Sequence, residues 1–406
     1  MSSSTASISI VPAPPERARF VSQTIGYYAA FVALGLSVAS FGPTLPGLAD
    51  QTHARLDEIS FLFTARSLGY LLSSLHLGRL FDRRPGNSVM VFMLLLMASM
   101  LALVPLAPVL WILTTVILLL GAAEGALDVG GNTLLVWVHG RKVGPYLNTL
   151  HCFFGVGAFL APVITAYALL LTNSLTLVYF VLALLMLPVA LVLRRLPSPR
   201  PQISSQANQV GKPNLRFIFL IALFFFLYVG AEVSFGGWIY SYAVALNLAG
   251  ASLAGLLTSV FWGALTIGRL IAVPLTARLR PRTILFSDLM GCLFSLGVIL
   301  LWSNSLTALS LGTFGLGLSM ASIFPTTLAL AERRMMITGR ITGWLIVGAS
   351  AGSMSLPWLV GQLFQAAGPR TSMVTIFAYL LLTVAVFAAL IRFSTSTEPS
   401  QKKDDF

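Results

Sequence analysis

Charge is scarce in this chain. Aspartate, glutamate, lysine and arginine make up 9% of its 406 residues, where a soluble domain carries roughly a quarter. Cysteine is nearly absent. Cys152 and Cys292 both fall in apolar runs, so no disulfide framework holds the chain together. Four histidines and two cysteines supply no metal-spaced set. There is no glycine-rich phosphate loop with its lysine and no nucleophile beside a placed base, so an enzyme, a resident cofactor and an ATP-driven engine are not expected.

What is abundant is apolar: 57% of the chain is hydrophobic. At about 20 residues per bilayer crossing the runs divide into twelve spans. These are 21–48, 58–81, 87–107, 110–138, 145–171 and 175–194, then 215–246, 251–277, 283–303, 305–331, 340–365 and 371–392. The expected fold is an all-α membrane protein of two six-helix bundles, 21–194 and 215–392. Residues 195–214, rich in Pro, Ser and Gln, read as a linker, and 1–20 and 393–406 as tails. The first span is too long for a signal-peptide core and no cleavage site follows it.

The net charge of +12 is a matter of placement. Arg55 and Arg370 alone fall on one face and Arg66 and Arg269 lie within spans, leaving 21 of the 25 basic residues on the face with both termini. The positive-inside rule then expects cytoplasmic termini in a cell (inner or plasma) membrane, and no nucleic-acid partner is needed to explain the charge.

The halves echo one another. Gly69 and Arg79 correspond to Gly268 and Arg278, Gly157 and Pro162 to Gly352 and Pro357, and Phe41-Gly42 to Phe235-Gly236, at offsets of 199, 195 and 194. Parallel repeats of this kind place a substrate site between them, near the bilayer midplane.

Inside the spans a few polar residues stand out. Glu124, Asp128 and Asn132 recur every four residues on one helical stripe. Intramembrane acids mark ion or substrate pathways, with a helix-joining ion pair as the structural alternative. Arg66 needs an acid, for which Glu124 and Asp128 are at matching depth. His151 and Asn148, three residues apart, are expected to face the Asp128–Asn132 stripe, His151 as a proton relay. Asn132 and Asn148 suit hydroxyl-bearing substrates. Glu232 lies mid-span with Arg269 as a structural partner, and Trp238 reads either as a substrate-facing ring or an interfacial anchor. Asp288 is expected to meet basic residues at the termini's face.

Gly78-Arg79-Leu80-Phe81-Asp82-Arg83-Arg84-Pro85-Gly86 resembles the signature loop of the major facilitator superfamily. The stretches 127–132 (LDVGGN), 147–153 (LNTLHCF), 228–233 (YVGAEV) and Gly268-Arg269 resemble the fucose permease-like group within it. Ser322-Ile323-Phe324-Pro325-Thr326, Thr338-Gly339-Arg340 and Leu363-Phe364-Gln365 are similar to its sodium-dependent glucose transporter branch. The first-span aspartate of the fucose permease type is missing around Ser40-Phe41.

The resemblance implies a secondary transporter with alternating access, carrying a monosaccharide with a proton or sodium ion. Asp128, Glu124, Arg66 and His151 are then expected in cation coupling. Asn132, Asn148, Glu232, Trp238 and Arg269 are expected around substrate, and Asp82, Arg83 and Arg79 in gating. The expected partners are a sugar-like small molecule, the coupling ion and the lipid bilayer, with the protein a monomer. The alternatives are a proton-driven exporter of amphipathic or lipophilic molecules and a non-transporting sensor on the same scaffold.

Overall fold

The computed structural model describes residues 14–199, 215–332 and 339–395, and every regular element among them is helical. The first half comprises α1 (Pro14–Gln51), α2 (Leu56–Ile59), α3 (Phe61–His76), α4 (Gly78–Arg83), α5 (Gly86–Leu103), α6 (Leu110–His139), α7 (Gly144–Thr172) and α8 (Leu175–Arg195). The second comprises α9 (Leu215–Ala245), α10 (Ala251–Arg278), α11 (Pro281–Leu301), α12 (Leu306–Met320), α13 (Ile323–Glu332), α14 (Gly339–Ala367) and α15 (Arg370–Thr395).

Among the described residues, eleven helices are long and apolar enough to cross a membrane, α12 and α13 counting as one crossing. The twelfth expected span is divided. Its central piece, α3, is 16 residues, roughly 24 Å at 1.5 Å per residue, with α2 before it and α4 continuing past Leu77. The helix also begins earlier than the expected tail boundary, at Pro14. Most of the linker, 200–214, lies outside the described residues, as do 333–338. Its first residues are held to the first half: the Pro197 carbonyl accepts from Gln23 and Asn87, and the Ser198 hydroxyl accepts from the Asn87 backbone N–H.

The sequence echoes are structural equivalences. A Cβ on Gly157 would fall 2.0 Å from the Val32 carbonyl oxygen, and one on Gly352 would fall 2.0 Å from that of Phe226. The α1–α7 approach is thus repeated by α9–α14. Small residues allow such approaches where lipid offers no hydrophobic drive to helix association.

Contacts between the halves gather on the side away from the termini. There α1 and α9 cross at the matched glycines, Gly42 against the Gly236 carbonyl. Thr64 donates to the Met354 carbonyl at 2.8 Å, and Gln362 donates to the Asp57 carbonyl at 2.8 Å. Phe41 and Phe63 from the first half meet Trp238 and Phe364 from the second in a continuous ring stack. Centroids are 4.9 Å apart for Phe41–Phe63, 6.1 Å for Phe63–Trp238 and 5.2 Å for Trp238–Phe364. All four side chains are buried. This plug closes the far face, while Asn148, Thr149 and Phe153 toward the termini's face are exposed.

Candidate functional site

Directly beside the aromatic plug lies a buried ion pair. Arg66 donates from Nε to Glu124 Oε2 at 2.8 Å and from Nη2 to Oε1 at 2.7 Å. Nη1 reaches the Val38 carbonyl at 3.2 Å, and Ser37 donates to Glu124 Oε1 at 2.6 Å. The guanidinium also stands over the Phe41 ring, 5.5 Å from its centroid. Planar bidentate geometry suits arginine and spends both carboxylate oxygens. With Glu124 only 1% exposed, each charge depends on the other to remain in the span.

Asp128 is not part of that pair. It accepts from Tyr70 Oη on Oδ2 and from Asn132 Nδ2 on Oδ1 at 3.0 Å. Among the described residues no basic nitrogen lies within 4.0 Å of it. The stripe therefore divides its work. Glu124 is locked to a permanent cation, while Asp128, half-buried, is held by neutral donors.

His151 and Asn148 do not join this stripe. Phe31 of α1 stands between, packing its ring against Gly131 of α6 on one side and against His151 of α7, edge to face at 5.7 Å, on the other. α6 and α7 have few points of contact because α1 separates them. Asn148 is exposed, one turn nearer the termini's face.

In the second half, Glu232 does not form the expected ion pair with Arg269; the two lie beyond 4.0 Å. Arg269 instead sits where its field reaches Glu232 and Tyr228 on one side and His151 and Cys152 on the other. It is thus a cation between the halves. Tyr228 Oη contacts Glu232 Oε2 and, at 2.8 Å, the Met320 carbonyl. One hydroxyl hydrogen serves one acceptor at a time, so Glu232 and the Met320 carbonyl compete for it.

Trp238 is neither an interfacial anchor nor open to a ligand in this conformation. It is 0% exposed, donates to the Pro357 carbonyl at 3.0 Å and forms part of the plug. Asp288 accepts from the Ser322 hydroxyl, and among the described residues no basic group at the termini's face reaches it. Arg83 is exposed at the end of α4, and the side chains of Arg79 and Asp82 lie outside those described. Tyr70, Tyr228 and Ser37 were missed as partners of the acids. Only Tyr228, one helical turn from Glu232, had a signal in the spacing.

The comparisons with known proteins agree with this architecture. The Major Facilitator Superfamily model matches residues 27–336. A human protein named sodium-dependent glucose transporter 1 is 31% identical, over 93% of this chain and 80% of its own length. Human major facilitator superfamily domain-containing protein 4A is 28% identical over 90% of this chain and 91% of its own. Among solved structures, a bacterial homologue of the lysosomal transporter Spinster, in an inward-facing and unoccupied conformation, superposes with a TM-score of 0.74. It covers 96% of this chain and 100% of its own at 13% identity. A nucleoside transporter does so with a TM-score of 0.73, covering 91% and 99%, at 14% identity. With a divided polar core between two equivalent helical halves and a family match over most of its length, the chain is a multi-pass membrane transporter belonging to the Major Facilitator Superfamily.

Proposed function

We propose that the protein is a secondary active transporter that moves a monosaccharide together with a proton or sodium ion. The observation that carries this reading is the pair of unlike acids on α6. Glu124 is neutralised by Arg66 against the closed far gate, whereas Asp128, four residues away, has only Tyr70 and Asn132. A carboxylate without a resident cation can take up a mobile one, and the buried pair beside it ties the same helix to the gate. The sugar assignment rests on the relatives' printed names and on amide groups, Asn132 and Asn148, that can both donate to and accept from hydroxyls.

In this reading 21–194 and 215–392 rock about the central site in a cell membrane, as a monomer with both termini cytoplasmic, and the closed far face makes this conformation inward-facing. Arg66 tunes the coupling acids, His151 stands apart from them behind Phe31, Glu232 and Arg269 face substrate from the second half, and Trp238 reports closure. Arg79, Asp82 and Arg83 bias the cytoplasmic gate.

Reconstituted protein tests this. Labelled monosaccharide should accumulate in proteoliposomes under an imposed inward proton or sodium gradient and equilibrate without one. Absence of sugar uptake under either gradient, with efflux of an amphipathic compound driven by protons, would replace import by the exporter reading.

A further inference from the structure

We propose that the break between α12 and α13 forms, with Asp288 of α11, a binding site for a monovalent alkali cation, Na+. The proposal deepens the transport reading and rests on it only for what the bound ion would do.

The break has a local cause. α12 ends at Met320 and α13 starts at Ile323. The Ala321 N–H reaches only three residues back, to the Leu318 carbonyl at 3.4 Å. Pro325 has no N–H, so the Ala321 carbonyl lacks the donor that an unbroken helix would supply. The Met320 carbonyl takes the Tyr228 hydroxyl instead of a backbone donor. Non-helical backbone at this depth is expected only where protein or a cavity compensates it.

Two side-chain observations bear on the break. Asp288 is held by the Ser322 hydroxyl and, among the described residues, has no basic nitrogen within 4.0 Å. One turn on from Ser322, on the same helical face, Thr326 is 2% exposed and its Oγ1 has no partner. Many span hydroxyls bond the carbonyl four residues back, as the adjacent Thr327 does to Ile323 at 2.7 Å. Thr326 is a buried oxygen still owed a neighbour.

Asp288, Ser322, Thr326 and the Ala321 carbonyl are hard oxygen donors carrying one negative charge. Calcium collects six to eight oxygens, commonly several carboxylates, and transition metals favour nitrogen or sulfur. A single carboxylate with hydroxyls and unwound carbonyls suits sodium, and interrupted membrane helices provide such carbonyls. Among the described residues, the other ionisable groups around α11 and α13 include Tyr228, Glu232 and Arg269 deeper in the bundle, Cys292 one turn along α11, Arg282 near its start and Glu332 at the end of α13. Through Tyr228, the Met320 carbonyl also joins the break to Glu232, so filling the site bears on the acid that faces the centre.

Binding of radioactive sodium to purified, reconstituted protein tests the site without any transport step. Sodium should bind in preference to potassium and choline and should raise the temperature of unfolding. Asp288→Asn should weaken binding at least about tenfold, and Thr326→Val and Ser322→Ala should weaken it too. Asp50→Asn, at an exposed acid on the far face, should bind sodium as the parent does. If Asp288→Asn does not fold, Thr326→Val decides, because it removes an unpartnered hydroxyl at constant shape. Undiminished sodium binding in Thr326→Val and Asp288→Asn, or no preference for sodium in the parent, overturns the proposal. Sodium binding lost with these variants but no sugar uptake in the parent overturns the transport reading and leaves the site. Sugar accumulation driven by protons alone, with no sodium binding, does the reverse.

Discussion

Gly42→Leu should hold the transporter open on its far side. A single Cβ at Gly42 would lie 2.6 Å from the Gly236 carbonyl oxygen and 3.1 and 3.2 Å from the oxygen and Cα of Gly237. Ordinary contact begins near 3.4 Å, so α1 and α9 must part by about 0.8 Å for alanine alone, and further for leucine. The obstructing atoms are backbone, which no rotamer change relieves. Overpacking of this kind costs about 1–3 kcal/mol. The clash exists only while the far gate is shut, so that cost falls on the closed state, lowering its population about 5- to 150-fold relative to the open one.

Spin labels at Thr172 and Ala251, exposed ends of α7 and α10 on opposite halves, would report the distance across that mouth, with Cys152 and Cys292 replaced. The expected result is a longer-distance population that dominates in Gly42→Leu. Gly297→Leu, where nothing lies within 4 Å of the added carbon, should leave the distribution as in the parent. A Gly42→Leu distribution identical to that control would refute the account of closure by glycine contact.

Further outcomes follow from the other contacts. Glu124→Gln should destabilise the protein by about 3–5 kcal/mol, because Arg66 keeps a buried charge without an anion; denaturant titration reads this, and added Arg66→Met should recover part of the loss. Asp128→Asn should abolish gradient-driven accumulation while preserving exchange, since the amide keeps its shape but does not titrate; accumulation at the parent's rate would remove Asp128 from coupling. Tyr228→Phe should cost about 1–3 kcal/mol by leaving the Met320 carbonyl unpaired at the helix break, and an unchanged unfolding midpoint would show that another donor reaches it. Phe63→Ala, taking a buried ring out of the plug, should cost the closed state about 3–5 kcal/mol at most and shift the same spin-label distance in the direction of Gly42→Leu.

Hydropathy and spacing are local properties, and what depends on them was legible in the chain alone. The membrane class, nearly every helix boundary, the two-fold repeat and the shared stripe of Glu124, Asp128 and Asn132 follow from runs of apolar residues and a period of 3.6. So did the need of Arg66 for an acid, since charge in a bilayer must be compensated wherever the helix goes. The choice of Glu124 over Asp128 was tertiary. It depends on how α3 lies along α6, where Gly121 lets the Arg66 backbone come close. Phe31 separates His151 from Asp128 because α1 stands between α6 and α7, an order that no pattern within either helix encodes. Trp238 closes a gate because α9 meets α14 and α3 together. Asp288 meets Ser322 because the α12–α13 break turns that hydroxyl toward α11. Pro325 announces an interruption in the sequence, but only the packing of a neighbouring helix decides which side chain faces the carbonyls it frees.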